Sequence, residues 1–241
     1  MSTIWGAARE GDCARLRALI GDGVDLDARY NGLTPLLFAA CHGRAEAVEL
    51  LVQHGADVEL MATGFGTRGG TALHYAAEHA GASTTRCIEI LLAAGADANV
   101  TTDVVTRTPL QHLLDSGRSK QTITSCAALL INSGARVTDR PGRVGEHIIP
   151  AIEGNNREVA KMLLRAGAVI PHYSRRFYLY DNPANALVRH VQARGGWKAY
   201  ASNHKRVLVG LVAKCTGNLK PHFPDDAAGL VVEFYCPIGG Y

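Results

Sequence analysis

The stretch Thr71–Asn99, TALHYAAEHAGASTTRCIEILLAAGADAN, returns in altered form four more times along the chain, near Ser2, Thr34, Thr108 and Glu146. The copies start at 2, 34, 71, 108 and 146, so they lie 32, 37, 37 and 38 residues apart. A sequence that repeats at this interval folds as a row of small units. Each unit is too small to bury its own apolar side and does so against its neighbours. The wording inside a copy predicts a short helix, a turn, a second helix and an extended loop. In the first copy Ala7-Ala8 mark the close-packed side of the short helix and Gly11 ends it. Leu16, Leu19 and Ile20 then recur at helical spacing, and Gly23-Val24-Asp25 closes the unit.

The second copy states the pattern most fully: Thr34-Pro35-Leu36, Ala39-Ala40, Gly43, Val48, Leu51-Val52, Gly55-Ala56-Asp57. Thr34 can cap the first helix through its hydroxyl, and Pro35 suits the first helical position, where no amide partner is needed. Ala39 and Ala40 let adjacent helices approach closely. Gly55 ends the second helix in a left-handed conformation at little cost. With Thr71, Leu73, His74 and Ala76 in the third copy, this wording resembles the ankyrin repeat, a unit of about 33 residues with a T-P-L-H-x-A motif. The resemblance covers roughly residues 2–171. It implies an all-α solenoid of helix-turn-helix units with extended loops, residues 1–171, followed by a C-terminal helical region, residues 172–241. The departures are specific. Ala72 and Leu37 replace the proline and the histidine of the motif, and the loop before Thr71 is longer. Extra residues fall near Ala82–Thr85 and Ser119–Thr122, between the two helices. Leu113-Leu114 stand in place of the alanine pair, and the fifth copy opens with Glu146-His147-Ile148 instead of Thr-Pro-Leu.

Hydrophobic residues make up 47% and charged residues 20%, enough for a packed core, while the net charge of +3 is too small to argue for a nucleic-acid partner. Six scattered cysteines without a CxxC pair read as reduced thiols. The N-terminus lacks a signal-peptide core, and no apolar run approaches the roughly 20 residues that span a bilayer. The expectation is an intracellular, cytoplasmic or nuclear monomer with no membrane partner and no cofactor.

The sequence offers little chemistry. It has no GxGxxG, GxxxxGK[ST] or HExxH, and its ten histidines do not cluster at metal-ligand spacing. No enzyme is expected. The resemblance implies that His74 hydrogen-bonds the backbone of the adjoining loop. It also implies that partners meet a concave face made of loop tips and first-helix ends. Carried over by position, the candidate partner-binding residues are Arg29, Tyr30, Asn31 and Leu33 on one tip, Phe65 and Arg68 on the next, and Val104, Val105 and Arg107 on the third. Arg140 and Arg143 follow on the last tip, with His42 and His79 on helix ends. Exposed aromatic and arginine residues are typical interface anchors. Arg29, Arg68, Arg107, Arg140 and Arg143 would form a broken basic stripe suited to an acidic or phosphorylated partner.

Residues 172–241 read differently, with nine Lys and Arg against four Asp and Glu. Leu187, Val188 and Val191 share one face of a helix expected over Ala184–Arg194, and a longer amphipathic helix is expected from Trp197. The basic residues alternate with apolar positions and form no continuous patch, so no nucleic-acid partner is expected. Phe223-Pro224-Asp225-Asp226 and the apolar residues after it resemble the opening helix of an F-box. Leu211-x-x-x-Cys215-x-x-x-Leu219 resembles the elongin-binding helix of the suppressor-of-cytokine-signalling box. The main reading is a non-catalytic protein-interaction scaffold whose tail caps the array. The alternative is a substrate-recognition adaptor of a cullin-type ubiquitin ligase, recruiting a ligase component through the C-terminal helices.

Overall fold

The structure is a computed structural model that describes residues 3–64, 69–79, 83–102, 106–117, 119–138, 147–168, 183–195 and 197–202. The described residues include the helices α1 (Ile4–Glu10), α2 (Cys13–Gly21), α3 (Pro35–Cys41), α4 (Ala45–Gln53), α5 (Ala72–Glu78), α6 (Thr84–Ala93), α7 (Pro109–Leu114), α8 (Lys120–Asn132), α9 (Ile148–Glu153), α10 (Arg157–Arg165) and α11 (Pro183–Ala193). They pack in successive pairs: α1–α2, α3–α4, α5–α6, α7–α8 and α9–α10. The first helices stack α1 on α3, α3 on α5 and α5 on α7. The second helices stack α2, α4, α6, α8 and α10 in turn. The result is an all-α solenoid of two helical layers.

The alanine pairs set the spacing of the first layer. Ala7, Ala8, Ala39, Ala40, Ala76 and Ala77 are completely buried. Between the layers, Leu16, Leu36, Leu51, Leu73, Leu91, Leu110 and Leu130 are fully enclosed, each worth roughly 1.5–3 kcal/mol relative to exposure. The caps follow the sequence: Thr34 Oγ1 accepts from the Leu37 amide at 3.3 Å. Thr108 Oγ1 accepts from the Gln111 amide at 3.4 Å, while Gln111 Oε1 accepts from the Thr108 amide at 3.0 Å. Side chains also tie each closing loop to the next. Asp27 accepts from the Asp57 amide at 3.0 Å, Glu59 from the Asp97 amide at 2.7 Å and Asn99 from the Arg136 amide at 2.7 Å.

Two expectations are refined. The extra residues near Ser119–Thr122 are shared between the turn and the start of α8: five residues separate Leu114 from Lys120, where three separate Cys41 from Ala45. Ser119 caps α8 by accepting from the Thr122 amide, and α8 runs to 13 residues where α4 has 9. In the fifth unit the first helix starts at Ile148, with His147 at its cap position.

The first layer also opens. α7 and α9 meet less closely than the other neighbouring first helices, although α8 and α10 still pack. Leu113, Leu114 and Ile152 occupy the places where alanines allow close approach elsewhere, and all three are buried. Beyond α10, α11 lies against α10 and α9 and buries Leu187, Val188 and Val191 there. Residues 197–202 are helical, with Trp197 under the Arg165 guanidinium (5.4 Å to the ring centre) and Tyr200 buried. The F-box-like and elongin-binding-like stretches, 211–234, lie outside the described residues.

Candidate protein-binding face

The first loop tip is a two-residue hairpin. Tyr30 and Leu33 exchange backbone hydrogen bonds of 2.9 and 3.1 Å across Asn31 (φ 51°) and Gly32 (φ 78°). Positive φ at both central residues is the primed turn geometry that Asn-Gly favours. The tip is fastened to the next unit. Gly32 O accepts from the Thr63 amide at 2.9 Å, and a Cβ on Gly32 would fall 1.4 Å from Thr63 O. Arg29 completes the clamp: its guanidinium donates to Met61 O at 2.7 Å and to Gly32 O at 3.1 Å.

Tyr30 stays 54% exposed, the one large hydrophobic side chain so exposed among the described residues. Its ring rests against Trp5, with centroids 5.4 Å apart and planes tilted 34°. The Trp5 indole N–H donates to Ala28 O at 3.0 Å. Trp5 occupies the place in the first unit that His74 occupies in the third. Both send a ring N–H to the backbone of the following loop. Leu33 is half-buried against the core, and Asn31 is exposed at the tip.

His74 does what the resemblance implies. Nδ1 accepts from the Thr71 amide at 3.2 Å and lies 3.0 Å from Thr71 Oγ1, and Nε2 donates to Arg107 O at 3.0 Å. Burial, offset by the bond to Arg107 and helped by the nearby His112, lowers its pKa to about 4. Arg107 carries a second bond, a side-chain ion pair with Asp115. The two described members of the anticipated basic stripe, Arg29 and Arg107, therefore already hold protein groups. Phe65, Arg68, Val104, Val105, Arg140 and Arg143 lie outside the described residues.

The first-helix ends form a second row. His42 Nδ1 lies 2.9 Å from Phe38 O, which fixes its half-buried ring. His79 lays its ring over Gly43, where a Cβ would meet ring atoms at 2.5 Å. Beside them run Cys41, Glu78, Asp115 and Glu153, one from each successive unit at the same place. Burial raises the Cys41 pKa, and the charge of Glu78 raises it further. Glu78 also lies 3.9 Å from His112 Nδ1. The first-helix ends thus carry three carboxylates, of which Asp115 pairs with Arg107.

Residues 4–102 match the family model described as ankyrin repeats (3 copies). That stretch of the chain is an ankyrin-repeat array. The pairing of α7 to α10 continues the same architecture beyond the matched residues, so the fold is an all-α ankyrin solenoid. The chain is also 36% identical over 129 residues to the zinc finger CCCH domain-containing protein 50 of Oryza sativa subsp. japonica. That match takes in 52% of this chain and 19% of that protein, so the chain covers only a small part of its relative. Ankyrin repeats are generally protein–protein interaction modules and are typically non-catalytic. Among the described residues no three His, Cys, Asp or Glu side chains gather to hold a metal, and no helix is long and apolar enough to cross a membrane.

Proposed function

We propose that this chain is a non-catalytic recognition array that engages a protein partner through its loop tips and first-helix ends. The observation that carries the reading is Tyr30. Its exposed ring is held in place by Trp5 on one side and by a clamped hairpin on the other. An aromatic side chain already fixed before binding loses little conformational freedom on contact, which is the property of an interface anchor. Asn31 beside it offers an exposed amide. His42 and His79 extend the surface along the helix ends.

Coverage of α10 by α11 favours a cap over a recruitment helix for residues 183–202, since Leu187, Val188 and Val191 are turned to the array. The ligase-adaptor reading would have to rest on residues beyond 202. The test of the main reading is Tyr30→Ala. It should lower partner affinity by about tenfold or more, in line with an aromatic anchor. The melting temperature should change little, because the lost pair with Trp5 is worth about 0.5–1.5 kcal/mol. Undiminished binding would remove the tip from the interface.

A further inference from the structure

The cleft at the junction of α7 and α9 has a volume of about 300 Å³. Leu114, Ile123 and Pro150 line it with apolar surface, and Asp115, Gly117, Lys120 and Glu153 line it as well. Other junctions of the same solenoid show what fills this place. The glycine ten residues into a unit is Gly11 in the first, Gly43 in the second and Gly117 in the fourth. At Gly11, the stem of Arg44 from the next unit approaches so closely that a Cβ would lie 3.0 Å from its Cδ. Arg44 Nε then donates to Arg9 O, at the end of the first helix, at 3.0 Å. At Gly43 the His79 ring takes that role. At Gly117 no described atom lies within 4 Å of a Cβ position. The residue at the Arg44 position in the fifth unit is Asn156, whose shorter side chain caps α10 by accepting from the Val159 amide and donates to Lys120 O.

We propose that the cleft between the fourth and fifth units takes an arginine side chain from a protein partner, seated as Arg44 is seated between the first two units. This rests on the reading of the chain as a protein-binding array and adds the chemistry that one of its subsites selects. The aliphatic stem would cover Gly117 and Pro150, replacing solvent on an apolar wall. Nε–H would reach Asp115 O, the counterpart of Arg9 O. The terminal N–H groups would meet the carboxylates of Asp115 and Glu153. Asp115 already pairs with Arg107, but a carboxylate has acceptor directions for two guanidinium groups. Lysine lacks the Nε donor and the flat face, so it would fit less well. Lys120 opposes the incoming charge and keeps the site weak when a single arginine is offered alone.

The test is an NMR titration of the full chain with the peptide acetyl-Gly-Leu-Arg-Gly-amide and with versions carrying lysine or citrulline in place of the arginine. The arginine peptide should shift the amides of Gly117, Glu153 and Gly154 saturably, with Kd of about a millimolar. Citrulline, which keeps the shape and loses the charge, should bind about tenfold more weakly. Glu153→Lys, at an exposed position, should weaken the arginine peptide by a similar factor, and Glu153→Gln by less, with the circular dichroism spectrum unchanged. Equal binding of the citrulline peptide, saturable shifts only elsewhere, or no saturable shift would overturn the proposal. None of these outcomes touches the Tyr30→Ala experiment, which reads the opposite end of the array.

Discussion

At the scale of single residues, His74 and Gly32 show how much rests on one side chain. His74 titrates near 6.5 when unfolded and near 4 when folded, because burial disfavours the imidazolium. The unfolded chain therefore binds more protons between these values. The His74 contribution is complete above about pH 6.5 and is lost as the pH falls toward about 4. His74→Gln should flatten that part of the pH–stability curve, measured by urea denaturation. Gln111 already fills the equivalent place in the fourth unit, where it bonds the Thr108 amide. Gly32→Ala should cost about 2 kcal/mol or more in the same measurement, since a positive φ and a backbone clash combine there.

At the scale of the helix, small residues decide where units can close. Ala40→Leu should destabilise the array by about 1–3 kcal/mol in chemical denaturation, because α1 and α5 both crowd α3. The helices and their order were legible in the sequence because Thr-Pro-Leu starts, alanine pairs and closing glycines all repeat in phase. Leu113-Leu114 was legible as a departure, but its consequence was not. Whether two leucines push α9 away or are absorbed by a shift depends on packing across units distant in sequence. The same limit applies to the site. Tyr30 could be read as an exposed tip residue. Its support by Trp5, 25 residues earlier, could not, since Trp5 matches no motif position by residue type. Asn31-Gly32 was an available hairpin signal. The arginines looked like a stripe because sequence position shows where a charge starts and not where its partner lies: Arg29 reaches Met61 O and Arg107 reaches Asp115.

At the scale of the whole molecule, the array is a one-dimensional stack whose last exposed face needs a cover. α11 packs on α10 and α9 there and buries Leu187, Val188 and Val191. Val191→Asp should therefore speed hydrogen exchange in α9 and α10 while leaving α3 and α4 near their original protection, because unit stabilities in a solenoid couple mainly to nearest neighbours. The central claim is that the tip face, fixed before binding, recognises a protein. It is tested most directly by quantitative affinity capture from extract of the native source, comparing the full chain with its Tyr30→Ala variant. The account predicts that proteins enriched by the full chain fall away from the variant while its helical circular dichroism and melting temperature stay nearly the same. Enrichment of the same proteins to the same extent by both chains would contradict it.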